Sequence, residues 1–187
     1  MWTEEDEEKF KDLEIISMIV REKNLLRGDF ESELFLKGKK LNVEKVNIHM
    51  GKYEMYLPID RKKLDVIDTF LMSDSEFQKY EAYECQGGMF GVIVEDIKRE
   101  DDDILNELEN YSEYLTSKYE DVEMYIQEPI VENQEKIGRY ILSDEEMDIC
   151  VKVYVSSNFR LLVYSKEIDF AAINRLAYKI LQSISVK

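Results

Sequence analysis

Histidine, cysteine, proline and glycine are all scarce in this chain of 187 residues, which has one, two, two and seven of them respectively. With so few histidines and cysteines, the sequence offers no closely spaced ligand set of the kind that holds zinc. Little proline and glycine leaves little room for long disordered linkers. No apolar run approaches the roughly 18 residues that a membrane-spanning helix needs. The sequence therefore favours a globular chain that folds without metal or disulfides and does not insert into a membrane.

Residues suited to catalysis are equally sparse. His49 is the single histidine, and neither a serine-hydrolase elbow nor a cysteine-protease signature accompanies it. We expect His49 to be a solvent-facing strand residue. The chain has no Walker loop and no dinucleotide-binding fingerprint, and its acidic clusters at 101–103 and 144–146 lack the calcium-loop pattern. The sequence predicts no catalytic residue, no cofactor and no metal ligand.

Negative charge, in contrast, is abundant. The chain has 41 acidic and 25 basic residues, for a net charge of −16. Such a surface repels phosphate backbones and anionic membranes, which argues against nucleic-acid binding, and it attracts basic partners. The first eight residues are acidic where a secretory leader is basic. We therefore expect a cytoplasmic protein in which Cys85 and Cys150 are free thiols.

Hydrophobic periodicity divides the chain into an N-terminal extension, residues 1–40, and a main domain, residues 41–187. A helix is predicted over 3–22, because apolar residues recur there at helical spacing after a capping threonine. In the main domain, alternation predicts a β-hairpin that turns near Gly51 and ends at Pro58. A polar loop is predicted over 60–68, and 77–85 is ambiguous between strand and helix. Further strands are predicted over 90–97, 122–130, 136–142, 149–155 and 160–166, with one helix opening at 101–103 and another over 169–183.

This alternation is typical of strands with one buried face, as in antiparallel sheets. The order of elements predicts an α+β fold in which helices flank an antiparallel sheet, an α/β/α sandwich with an N-terminal helical extension.

From Leu41 onward, the order of elements resembles the PsbP-like fold family. Three features carry the resemblance: the hairpin ending in Leu57 and Pro58, the Ile-Gly-Arg-Tyr run at 137–140, and the run at 159–164 before a helix closing at 180–184. The family includes the photosystem II extrinsic subunit, a Ran-binding transport regulator and bacterial secretion-chaperone relatives. It has no shared catalytic residues, so the resemblance implies a binding, assembly or chaperone role.

Three functions stay open. The first is a non-enzymatic protein-binding, assembly or chaperone-type protein, with a protein partner that the charge predicts to be basic. The second is an acidic immunity protein that neutralises a basic toxin, and the third is an enzyme with a scattered carboxylate site. Tyr114 and Tyr119 lie at the margin of the predicted buried face of their helix, where tyrosine often contacts partner proteins. We expect a monomer or a homodimer.

Overall fold

A computed structural model describes residues 35–36, 39–65, 79–98, 103–118, 122–144, 149–165 and 170–187. Within these ranges, mostly antiparallel strands are accompanied by two helices, α1 (Asp103–Lys118) and α2 (Phe170–Ser183), and a short 3₁₀ turn at Gln86–Gly88. Neither helix is long and apolar enough to cross a membrane. The strands are β1 (Phe35–Leu36), β2 (Lys39–Lys40), β3 (Val43–Ile48), β4 (Tyr53–Pro58), β5 (Lys62–Leu64), β6 (Lys79–Cys85), β7 (Phe90–Asp96), β8 (Val122–Glu132), β9 (Glu135–Asp144), β10 (Ile149–Val155), β11 (Phe159–Ser165) and β12 (Ser185–Val186).

Seven of these strands form one large antiparallel sheet in the order β5-β6-β7-β11-β10-β9-β8. A smaller sheet has the order β12-β4-β3, and β1 pairs only with β2. Helix α2 contacts β4 of the small sheet and also β10 and β11 of the large sheet. The small sheet and α2 therefore cover one face of the large sheet together, while α1 packs against β8 and β9.

The large sheet contributes side chains to two hydrophobic cores, because successive residues of a strand point to opposite faces. The first core joins the large sheet to the small sheet and α2, and includes Met55, Tyr53, Val92, Leu161 and Ile180. The second lies on the other face with α1, and includes Ile93, Ile104, Leu142, Val153 and Leu162. Full burial of such a side chain stabilises the fold by about 1.5–3 kcal/mol.

Gly138 of β9 allows α1 to pack closely on the sheet. A Cβ atom at this position would lie 2.7 Å from Ile104 Cγ2 and 2.9 Å from Leu108 Cδ1. Interiors are packed tightly enough that a larger residue would displace the helix. The glycine of the 137–140 run therefore has a packing role.

Several expectations from the sequence are confirmed: the α+β class, the antiparallel pairing, the strand at Ile149–Val155 and two free, buried thiols. The helix-flanked sandwich is wrong, because the described chain is rich in sheet and a second sheet helps α2 to cover one face. The loop expected at 60–68 contains strand β5. Strand β10 is buried on both faces rather than one, because it lies inside the sheet between the two cores.

Burial of both faces places charged side chains inside the protein. Arg160 and Glu95 form a buried bidentate ion pair in which Nη2 donates to Oε1 at 2.7 Å and Nε donates to Oε2. Lys152 is buried and donates to the side-chain oxygen of Gln127. Removing one partner of a buried ion pair typically costs about 3–5 kcal/mol, because the other charge stays buried. These pairings make it possible for polar residues to occupy central strands.

The N-terminal helix expected over 3–22 lies outside the described residues. Within 1–40 the structure describes only β1 and β2, and Leu36 of β1 is buried in the first core beside α2.

Candidate functional site

One end of the molecule, which we call the turn end, brings together three hairpin turns and the C-terminal segment. Asn158, in the turn at 156–158, contacts the residues that directly follow the other two turns. Its carbonyl lies 2.7 Å from the Tyr53 hydroxyl, and its Nδ2 donates to Glu135 Oε1 at 3.0 Å. The C-terminal segment is held by Lys187 N, which donates to Lys52 O at 2.9 Å. The turns lie at 49–52, 133–134 and 156–158, and the C-terminal segment is 184–187.

The first feature of the turn end is the clasp, formed by His49, Lys52, Tyr53, Glu81 and Asp96, which fastens the small sheet to the large one. The His49 backbone N–H donates to Glu81 Oε1 at 2.6 Å. Its ring Nε2 lies 2.9 Å from the carbonyl oxygen of Val94, and because a carbonyl only accepts, Nε2 carries the proton. The side chain is only 7% exposed. The solvent-facing position expected for His49 is therefore wrong, since the hairpin turns at His49 and places the ring between the sheets.

Asp96 is the second anchor of the clasp. Its carboxylate pairs with Lys52 and accepts from the Tyr53 hydroxyl at 2.7 Å. Burial acts to raise the pKa of Asp96, but the hydrogen bonds from Lys52 and Tyr53 outweigh it and hold that pKa below its usual value. Burial also raises the pKa of Tyr53 to about 12. The phenol stays protonated and able to donate.

Glu81, like Asp96, accepts hydrogen bonds from a lysine and a tyrosine. Lys63 Nζ and the Tyr83 hydroxyl each donate to its Oε2 at 2.7 Å. Burial acts to raise the pKa of Glu81, but these hydrogen bonds, with that from the His49 backbone, lower it. Each carboxylate of the clasp thus has a lysine partner, and His49 has no serine or cysteine among its partners. The clasp has the properties of a structural joint between the sheets.

The second feature is the groove, a cavity of about 420 Å³ between the β8–β9 hairpin and the C-terminal end of α2. Its volume falls within the range of about 300–1,000 Å³ that is usual for ligand pockets. Val186 is an exposed apolar residue of its lining, whereas Ile137, Phe159 and Leu181 are almost fully buried beneath it. Glu132 and Glu135 are the charged residues among the described part of the lining. The groove combines an apolar surface with two negative charges.

Glu132 and Glu135 lie directly opposite each other, as the last paired residues of the β8–β9 hairpin. The Tyr178 hydroxyl donates to Glu132 Oε2 at 3.0 Å, and Asn158 Nδ2 donates to Glu135 Oε1 at the same distance. Both donors are neutral, and neither glutamate forms an ion pair with any residue in the described ranges. Burial is the main cause that raises the pKa of the Tyr178 hydroxyl, and the hydrogen bond to Glu132 raises it further. The hydroxyl therefore keeps its proton.

The turn between the two glutamates has an unusual backbone. Asn133 and Gln134 both have positive φ values, of 51° and 69°. This conformation suits a two-residue hairpin turn, where asparagine is common at the first position and glycine at the second. The turn brings the two carboxylates to the same edge of the groove.

The two residues proposed from the sequence cannot be compared with this site. Tyr114 belongs to α1, but its side chain lies outside the described part of the structure, as does the whole of Tyr119. Sequence reasoning missed Glu132 and Glu135, although strands were predicted on both sides of the Asn133–Gln134 pair. The predicted strands ended at 130 and began again at 136, whereas β8 and β9 extend to 132 and from 135, so the two-residue turn that places the glutamates opposite each other was not identified. In the described ranges, no three or more metal-binding side chains gather into a set that could hold a metal ion.

Comparison with known proteins supports the fold and goes no further. No family model matches the sequence, and no curated protein matches it. Among solved structures, the chain is similar to the solution structure of cyanobacterial PsbP (CyanoP) from Synechocystis sp. PCC 6803, with a TM-score of 0.53 and 13% sequence identity. The match covers 82% of this chain and 97% of that chain. The PsbP-like fold predicted from the sequence is confirmed.

Proposed function

We propose that this chain is a non-enzymatic protein-binding module that recognises a basic segment of a partner protein in the groove. The observation that carries the proposal is the presence, in one groove, of the exposed apolar side chain of Val186 and two carboxylates that form no ion pair with a described residue. A basic side chain with an aliphatic stem suits both parts of this surface. The net charge of −16 attracts such a partner over longer distances.

A further observation supports the proposal. The groups of the clasp that are most suited to acid–base chemistry are engaged in fastening the sheets, and the described partners of His49 include no serine or cysteine nucleophile. We also propose a cytoplasmic location, where the two buried, free thiols would stay reduced. Assembly, chaperone and toxin-neutralising roles all use a binding surface, and the identity of the partner decides among them.

The test compares three versions of the full chain as bait in a cell extract: wild type, Glu132→Gln/Glu135→Gln, and Glu109→Gln/Asp65→Asn. The third is the matched control, because it removes the same charge from exposed residues away from the groove. We expect wild type and control to capture the same basic protein and the groove variant to lose it. The captured protein is then purified, and its affinity for each version is measured by calorimetry.

Two results would contradict the proposal. Equal affinity of all three versions for the purified partner would remove the groove from the interaction. Conversion of the captured molecule into a product would show that the chain is an enzyme.

A further inference from the structure

We infer that the groove accepts the side chain of an arginine, with its guanidinium group between the carboxylates of Glu132 and Glu135. The inference rests on the proposed function and names the residue through which the partner is recognised. It follows from four properties of the groove: the placement of the two charges, the oxygens they leave open, the lack of an ion pair with a described cation, and the chemistry of the lining.

The placement of the charges favours a cationic ligand. Glu132 and Glu135 are cross-strand partners, and the Cβ atoms of such residues lie about 4.5–5.5 Å apart. Like charges at this position repel each other, so folding alone gives no reason to place them there. A cation between them turns the repulsion into two attractions.

The hydrogen bonds of the two carboxylates leave one oxygen open on each. Tyr178 occupies Oε2 of Glu132, and Asn158 occupies Oε1 of Glu135. The other two oxygens have no donor among the described residues. Two acceptors held on separate side chains match the planar, forked donors of a guanidinium better than the single ammonium of lysine.

The protein's own arginine near this site is engaged elsewhere. Arg139 lies close enough to Tyr178 to lower the pKa of its hydroxyl, although burial raises that pKa overall. The Nε–H of Arg139 donates to the Glu128 carbonyl at 2.7 Å, and no ion pair joins it to Glu132. Among the described residues, no cation therefore occupies the position between the two glutamates, which suits a cation from another molecule.

The lining of the groove is also suited to an arginine side chain. Val186 is 44% exposed and offers an apolar surface to the methylene groups of the stem, while Ile137, Phe159 and Leu181 are almost fully buried beneath it. A guanidinium is more weakly hydrated than an ammonium, so it loses less on leaving water. The groove also contains the oxygens of Asn133, Gln182 and two serines, so calcium, which takes six to eight oxygen ligands, is the competing cation that the test has to compare.

The test is an NMR titration of the ¹⁵N-labelled full chain with N-acetyl-arginine-N-methylamide. Its lysine counterpart and calcium chloride are titrated in parallel. The amides of 132–135 and 181–186 report on the groove. The same titrations are run on Glu132→Gln/Glu135→Gln and on the control Glu109→Gln/Asp65→Asn, whose spectra also show that both variants are folded.

We expect the arginine compound to shift the groove amides and to bind the groove variant about tenfold more weakly, as the loss of charge-assisted hydrogen bonds predicts. The control should bind like wild type, and the lysine compound should bind more weakly than the arginine compound. Equal binding of lysine and arginine, tighter binding of calcium, shifts confined to other regions, or no effect of the groove variant would each overturn the inference. If the groove variant loses a captured partner but the arginine compound does not bind wild type, the proposed function stands, and only the inference that arginine is the recognised residue is refuted.

Discussion

The clasp and the groove lie side by side at the turn end, yet they treat carboxylates in opposite ways. In the clasp, Asp96 pairs with Lys52 and Glu81 pairs with Lys63. In the groove, Glu132 and Glu135 have only neutral donors among the described residues. A carboxylate that forms an ion pair within the protein stabilises the fold, whereas a carboxylate without an ion pair can bind a cationic group of another molecule.

The backbone of the two regions makes the contrast sharper. Both contain hairpin turns with two non-glycine residues in the left-handed conformation, His49 and Met50 in one and Asn133 and Gln134 in the other. Similar turns therefore support a structural joint in one case and a candidate binding site in the other. The difference between the two regions lies in the charges beside the turn, and single substitutions in each region can test this difference.

The largest effect should come from the core that both regions share. Ile180 of α2 is fully buried in the first core. We expect Ile180→Ala to lower the free energy of unfolding by about 2–5 kcal/mol, through lost burial and the cavity left behind. Urea unfolding measures the change, and Val131→Ala, at an exposed position, serves as the control. A free energy of unfolding equal to that of wild type would show that Ile180 does not belong to the buried side of α2.

Removing one hydroxyl from each region should show which of them is structural. Tyr53 is fully buried, so Tyr53→Phe leaves Asp96 without a buried donor, at a cost of about 1–3 kcal/mol. Tyr178→Phe should cost less than about 1 kcal/mol, because the Glu132 carboxylate lines an open groove and can bind water instead. Urea unfolding of both variants checks the order, and the reverse order would contradict the distinction between the regions.

Acid should weaken the clasp. A carboxylate whose pKa is lowered in the folded protein stabilises the fold above its unfolded pKa, and this contribution disappears as the pH falls through the lower folded value. The pKa values of Glu81 and Asp96 both lie below their ordinary values of 4.5 and 3.8. Below about pH 4.5, wild type should therefore lose stability more steeply than Glu81→Gln/Asp96→Asn.

Urea unfolding at a series of pH values from 7 to 3 measures this dependence. The exposed Glu109→Gln/Asp65→Asn variant controls for the change in net charge and should follow wild type. If the clasp variant also ran parallel to wild type, the two carboxylates would not contribute to stability as ionised groups.

The smallest effect should come from removing one charge from each region. This effect is the most specific, because the change in the free energy of unfolding should have opposite signs in the groove and in the clasp. We expect Glu135→Gln to raise the free energy of unfolding by about 0.2–1 kcal/mol, since it removes the repulsion across the hairpin. Lys63→Gln should instead lower it, by no more than about 1 kcal/mol, since it removes an exposed partner of Glu81. Unfolding at pH 7 in low salt measures both, and a shared sign would refute the contrast.

The sequence predicted the parts of the fold that depend on local patterns. Alternation located the hairpin ending at Pro58 and the strand Ile149–Val155, and helical spacing placed Ile173, Ala177 and Ile180 on the buried side of α2. Strand β5 was missed because three residues, two of them exposed lysines, show little periodicity.

Long-range pairing explains what the sequence could not reveal. The partners of His49 lie 32 and 45 residues away in the chain, so no local pattern indicates that its ring is buried. Burial of Lys152 and Arg160 likewise depends on strands that meet only in the folded sheet. In the groove, the opposition of Glu132 and Glu135 depends on strands that extend beyond their predicted ends at 130 and 136, and the approach of Tyr178 and Asn158 depends on long-range contacts.

The central claim is that Glu132 and Glu135 contact the partner protein, and carboxyl footprinting tests it most directly. Carbodiimide and glycine ethyl ester label accessible carboxylates, and mass spectrometry measures the labelling with and without the captured partner. We expect the partner to protect Glu132 and Glu135 while the labelling of Glu109 and Asp65 stays unchanged. Unchanged labelling of Glu132 and Glu135, with protection elsewhere on the surface, would contradict it.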